Sequence, residues 1–280
     1  MIAMNRLQTL AGTVLVVALL TGAAGAADIP PGEAGAKAAL EKSPRHGEWV
    51  DIKAEGVDVP LRSYVVYPES KDKAPVVIVI HEIFGLTDWI RSVADQLAAD
   101  GFIAVAPDLL SGRGPGGGGT ESAGSRDDVV KLVRGLKPEE VVTRLNGVRA
   151  YGLKIPAANG KTATVGFCWG GMMSFHYATA QPELNAAAVY YGTSPEDAGA
   201  YARVKAPVIG LYGGNDMRVN ATIPTAEANM KQGGKTFKPM VFEGAGHGFL
   251  RAQDGQNGAN LKASQQAWPA TVAFLKEHTK

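Results

Sequence analysis

Residues 162–171 read Thr162-Ala163-Thr164-Val165-Gly166-Phe167-Cys168-Trp169-Gly170-Gly171, and this stretch decides the fold. Its first half is β-rich, and a helix-like run follows from about Trp169 to Ala180. A strand that turns sharply into a helix, with G-x-C-x-G at the turn, is the context of a nucleophile elbow carrying cysteine in the usual serine position. The glycines have a physical purpose. A nucleophile on so tight a turn takes strained backbone angles, and a Cβ two residues away would strike the neighbouring chain. The turn also points the thiol at solvent from a helix N-terminus, where backbone N–H groups favour thiolate over thiol. By itself the motif is weak in a chain with 35 glycines, so its surroundings must carry the case.

Downstream, Gly213-Gly214-Asn215-Asp216 follows the apolar run Val208–Tyr212, and Gly244-Ala245-Gly246-His247-Gly248 follows Phe237–Phe242. Nucleophile, acid and histidine therefore occur in α/β-hydrolase order, each just past a predicted parallel strand, where open α/β sheets bind ligands. Taken singly, Asp216 reads as an Asx turn and His247 as a loop histidine; the joint order and placement favour a triad. His46 and His278 lie near the chain ends and His176 within a helix, which leaves His247 as the base.

Upstream, Val76–Ile80 is apolar without alternation, the pattern of a parallel strand buried on both faces. Asp88–Asp100 reads as a helix with Ile90, Val93, Ala94 and Leu97 on one face, and Ile103–Ala106 as the next buried strand. Glu48–Lys53 and Leu61–Tyr67 read as strands of an antiparallel edge. Helices are expected at Asp127–Leu136, Glu139–Leu153, Thr222–Gln232 and Leu261–Lys276, with a further strand at Ala186–Tyr191. Strands alternating with helices give the fold class: an α/β-hydrolase fold, a mostly parallel central sheet with helices on both faces. The glycine-rich segment 111–125 lacks the Gly-Lys-Ser/Thr close of a phosphate loop and reads as a flexible loop beside the site.

The first residues are of another kind. Arg6 precedes an uncharged apolar run, Leu10–Leu20, and small residues lead to Ala24-Gly25-Ala26. This is the pattern of a Sec-type signal, and the run is well short of the ~20 apolar residues of a membrane span. The chain thus divides into a signal peptide (1–26), an N-terminal arm (27–47) and a single catalytic domain (48–280), with a secreted or periplasmic location expected. Formal net charge is +1, and no basic block is interleaved with aromatics, which disfavours nucleic acid as a partner. A monomer without a membrane span after signal cleavage is expected. Cys168 is the only cysteine, so it has no partner within the chain for a disulfide or a redox pair. No metal or other cofactor is expected: His81 has Gly85 four residues on, not a second histidine, and no other His or Cys cluster occurs.

The roles follow from chemistry. Cys168 attacks a carbonyl carbon, His247 acts as base and then acid, and Asp216 fixes the histidine tautomer. Backbone N–H groups of Trp169 and of Ile83, in the loop after the Val76–Ile80 strand, are the expected oxyanion donors.

At this point the sequence resembles the dienelactone hydrolase family, from about Val76 to Lys276. The resemblance rests on His81-Glu82-Ile83-Phe84-Gly85, Ala106-Pro107-Asp108-Leu109, the Cys168 elbow, Gly213-Gly214-Asn215-Asp216 and Gly246-His247-Gly248-Phe249-Leu250-Arg251. It implies that Glu82 sits beside Cys168, holds the resting thiol and helps remove its proton. It also implies that arginines bind a carboxylate on the substrate. Arg251 matches one of these directly, while Arg113 stands one position further from Pro107-Asp108 than the family's pattern. The implied activity is hydrolysis of a small lactone or carboxylic ester. A periplasmic carboxylesterase of another substrate class and a non-catalytic binding protein on the same fold are the alternatives.

Overall fold

Eight strands form one sheet in the computed structural model, which describes residues 28–280. The signal segment expected over 1–26 lies outside these residues. In chain order the strands are β1 (Gly47–Ile52), β2 (Leu61–Val66), β3 (Ala74–Ile80), β4 (Ile103–Pro107), β5 (Ala158–Phe167), β6 (Ala186–Tyr190), β7 (Val208–Gly213) and β8 (Phe237–Phe242). Their spatial order is β1-β2-β4-β3-β5-β6-β7-β8, with β1 and β2 antiparallel at one edge and β3 to β8 parallel. The expected antiparallel edge and buried parallel centre are both present.

Helices α1 (Glu33–Lys42), α2 (Asp88–Ala99), α3 (Arg126–Gly135), α4 (Pro138–Lys154), α5 (Trp169–Ala180), α6 (Met217–Asn220), α7 (Ile223–Gln232) and α8 (Ala259–His278) cover the sheet. The alternation of β3 feeds two cores. Val76, Ile78 and Ile80 belong to the core that also holds Val133 of α3, Leu145 of α4 and Met230 of α7, whereas Val77 and Val79 belong to the one shared with α1, α2 and α8. All five of these β3 side chains are fully buried, each stabilising the fold by about 1.5–3 kcal/mol relative to an exposed position. A strand with core on both faces cannot alternate polar and apolar residues, which explains its unbroken apolar run.

Sheet order reverses at β3, with β4 on one side and β5 on the other. Such a switch point opens a crevice at the C-terminal ends of the strands. The register Ile80↔Gly166 aligns the ends of β3 and β5 and brings the loops carrying Glu82 and Cys168 together. In the same way Gly213↔Phe242 aligns β7 with β8, the strands that precede Asp216 and His247.

Two segments differ from the sequence reading. The stretch read as an arm contains α1, whose one fully covered residue, Ala36, leaves too narrow an apolar stripe to announce a helix. Tertiary contacts hold it: Trp89 Nε1 donates to Pro31 O at 3.1 Å and Gln253 Nε2 to Pro30 O at 2.7 Å. The glycine-rich loop, expected to be flexible, is tied to buried Asp108. Thr120 donates to that carboxylate from its backbone N–H (2.7 Å) and from its hydroxyl (2.8 Å), and the hydroxyl oxygen in turn accepts from Leu86 N–H (3.0 Å). Among the described residues no helix is long and apolar enough to cross a membrane.

Candidate active site

Cys168 occupies the turn between β5 and α5 with φ 55° and ψ −114°, a conformation rare for a residue with a Cβ. The chain accepts it because Gly166 and Gly170 leave room. A Cβ on Gly166 would stand 1.9 Å from Gly170 O, and one on Gly170 2.3 Å from Ile80 O. The elbow is also tied to the neighbouring strand by the Cys168 N–H, which donates to Tyr190 O at 3.0 Å.

Three of the predicted residues meet. His247 Nε2 lies 3.1 Å from Cys168 Sγ, and His247 Nδ1 lies 2.5 Å from Asp216 Oδ2. Asp216 is buried and caps α6, its other oxygen accepting from Val219 N–H, so the carboxylate is held from both sides. A charge-assisted bond to a fixed carboxylate orients the imidazole and places its second nitrogen at the sulfur.

The backbone N–H groups of Trp169 and Ile83, the expected oxyanion donors, lie close enough to the Cys168 sulfur to favour its thiolate. His81 helps shape the loop that presents Ile83. It is fully buried, its Nε2 accepts from Leu109 N–H at 3.3 Å, its Nδ1 bonds Glu82 O at 2.7 Å, and its ring stacks on Trp169. Burial holds this imidazole below its ordinary pKa and hence neutral.

Glu82 is buried beside the thiol. Burial pushes its pKa up to about 7, even though the Arg251 guanidinium favours the carboxylate. Arg251 Nε lies 2.8 Å from Glu82 Oε2, but its N–H is not aimed at the oxygen, so the contact is an ion pair rather than a hydrogen bond.

The thiol itself departs from expectation. The sequence placed Cys168 at a helix N-terminus, where thiolate is favoured; burial instead pushes its pKa up to about 11, and the Glu82 charge adds to the rise. The Trp169 and Ile83 N–H groups act in the opposite direction and are outweighed. The resting group is therefore a neutral thiol. Alkylation by iodoacetamide, which follows the thiolate, is expected to rise with pH to an inflection near 11 in the wild type. In Glu82→Gln the inflection should fall towards that of an ordinary thiol, because a charge repelling the thiolate is gone. An inflection unmoved by the substitution would show that Glu82 does not act on the sulfur.

Arg113 is not brought to this site. It pairs through two nitrogens with Glu140, which also holds buried Arg144, at a cavity lined by Val57, Val59 and Gly112. Its position in sequence resembled a substrate arginine, but the glycines that follow redirect the loop and the α4 carboxylate captures its side chain. Arg113→Ala is expected to change kcat/KM for a small ester less than about threefold, since its guanidinium is held by Glu140 and meets none of the catalytic residues. A larger loss would return Arg113 to the substrate.

A different arginine is there instead. Arg126, at the start of α3, lies with its guanidinium 3.6 Å from the centre of the Phe84 ring, and Arg251 faces the same ring at 5.3 Å. Tyr191, just after β6, packs its ring edge-on to His247 and leaves its hydroxyl buried with no partner among the described residues. No local pattern in the sequence marks either residue, because both reach the site only through the order of the strands and the packing of α3.

An α/β sheet with a cysteine elbow and a histidine–aspartate pair in contact with its sulfur defines a hydrolase of the α/β-hydrolase class acting through a cysteine nucleophile. The chain belongs to the dienelactone hydrolase family, whose sequence pattern matches residues 61–279. It is 30% identical over 227 residues to a Methylorubrum extorquens protein named "Putative carboxymethylenebutenolidase", covering 74% of this chain and 77% of that one. Among solved structures, it resembles the "Putative Dienelactone Hydrolase" of Klebsiella pneumoniae subsp. pneumoniae with a TM-score of 0.73. That match has 24% identity and covers 83% of this chain and 99% of the other. The dienelactone hydrolase of Anabaena variabilis gives a TM-score of 0.63 at 19% identity, over 84% and 99% of the two chains.

Proposed function

We propose that the protein hydrolyses small lactones or carboxylic esters through a thioester on Cys168. The observation that carries this reading is the line from Asp216 Oδ2 through His247 to Cys168 Sγ, with contacts of 2.5 and 3.1 Å. Names such as carboxymethylenebutenolidase among its relatives support a lactone as one substrate class.

The thiol proton passes to His247, 3.1 Å from the sulfur, as the sulfur attacks the carbonyl carbon, and the charge of Glu82 beside the thiol disfavours a free thiolate until then. Negative charge grows on the carbonyl oxygen and is met by the Ile83 and Trp169 N–H groups. The C–O bond then breaks and His247 returns a proton to the leaving oxygen. Water, losing its proton to His247, attacks the thioester, releases the acid and restores the thiol. A neutral resting thiol suits this sequence, since it is shielded from oxidation until a substrate is in place.

Stopped-flow hydrolysis of an activated aryl acetate, with mass spectrometry of the quenched enzyme, tests the reading. An acyl adduct on the peptide containing Cys168 is expected, and turnover without such an adduct would overturn the thioester route. Export belongs to the same proposal, supported by the apolar run after Arg6 and the Ala24-Gly25-Ala26 site. Amino-terminal sequencing of the protein from its native host should begin near residue 27.

A further inference from the structure

The cluster behind the thiol contains a carboxylate that the proposed chemistry does not use. Glu33, the first residue of α1, accepts from Arg251 Nη1 through Oε2 at 2.6 Å and from Arg126 Nη1 through Oε1 at 3.4 Å. Arg251 is thus shared between Glu82 and Glu33, and the Phe84 ring faces both guanidiniums. Two guanidiniums meet two carboxyl groups, so above about pH 7, where Glu82 is ionised, the cluster is balanced before any ligand arrives.

The segment carrying Glu33 is pinned at several points. Glu33 N–H donates to Arg251 O at 2.9 Å, Pro30 O and Pro31 O accept from Gln253 and Trp89, and Ala36 is buried against the sheet. The carboxylate itself stays 39% exposed, beside a cavity of about 520 Å³ lined by Gly32, Glu33, Gly35, Arg251 and Gln253. A solute therefore has access to the pair.

Resting on the ester-hydrolase reading above, we infer that Glu33 is a specificity-determining residue. Its carboxylate fills the seat between Arg251 and Arg126 that an acidic substrate would take, so the enzyme selects neutral esters and lactones against carboxylate-bearing ones. An incoming carboxylate must displace Glu33 or join an already balanced cluster against like-charge repulsion, whereas a neutral acyl group meets neither cost. The Glu33 charge also acts on Glu82, adding to the burial that raises its pKa against the pull of Arg251.

The test compares kcat/KM of the full chain for two matched substrates, an aryl acetate and the aryl monoester of succinate. In Glu33→Gln the acidic-to-neutral ratio is expected to rise about fivefold, the upper end of what a partly exposed charge contributes. Benzoate binding, followed by calorimetry, should tighten by a similar factor while benzamide binding does not move. Glu41→Gln removes the same charge from the exposed far end of α1 and should leave the ratio unaltered. A ratio and a benzoate affinity both unmoved in Glu33→Gln would overturn the inference. Should circular dichroism show α1 lost in that variant, Glu33→Asp keeps the charge but withdraws it by one methylene. It should raise the ratio by a smaller factor, and no rise there also overturns the inference. If the wild type hydrolyses neither ester, the proposed function falls, while the benzoate comparison still decides the role of Glu33.

Discussion

Cys168→Ala is expected to lose at least ~10²-fold in kcat/KM towards an activated aryl acetate and to lose its acylation burst altogether. His247→Ala should fall by a similar factor, and the double variant should fall little further than either alone. Non-additivity is the informative part. Sγ and Nε2 lie 3.1 Å apart and act as one unit, so removing the second partner costs little once the first is gone. The requirement for His247 is sharpened by the state of the thiol. With a pKa near 11, very little thiolate exists at neutral pH, so the attack depends on a partner that takes the proton. Unchanged turnover in Cys168→Ala would remove the central claim, whatever the fold.

The second large effect concerns the turn. Gly166→Ala places a Cβ 1.9 Å from Gly170 O, and the obstacle is backbone on both sides. Neither β5, paired with β3 and β6, nor the first turn of α5 can yield without breaking ladder or helix hydrogen bonds. A loss of about 3 kcal/mol or more is expected, at the upper end of overpacking effects and well above an ordinary surface substitution. Chemical denaturation read by tryptophan fluorescence measures it. A Gly135→Ala control, in which the added Cβ meets nothing within 4 Å, should be close to neutral. Equal stability of Gly166→Ala and the wild type would mean that the elbow is not as tightly closed as its geometry indicates.

Much of the fold was legible because its signals are local. Val76–Ile80 and Val208–Tyr212 are apolar throughout because a parallel strand buried on both faces has no polar side. Gly166 and Gly170 flank Cys168 because the turn leaves no space for side chains. The order Cys168, Asp216, His247 follows from three strands in one direction, each delivering its loop to the same end of the sheet. α1 was missed for the opposite reason. Its alanines favour helix, but a single buried residue writes no stripe into the sequence, and Trp89 and Gln253 from distant segments hold its start.

By itself, then, the sequence determined the strand–turn–helix at Cys168, the order of the triad and the parallel core, since chain stiffness, side-chain volume and burial periodicity act over a few residues. Only the tertiary structure decided the electrostatics around the thiol. It turned Arg113 to Glu140, brought Arg126 and Glu33 to Arg251, and set half-buried Cys168 beside Glu82, where partial burial and the Glu82 charge keep the thiol protonated. Coulomb energy and desolvation depend on which charges lie within a few ångströms and how much water is excluded. Those quantities are fixed when remote segments pack, as when Glu33 meets Arg251, and no local pattern of residues records them.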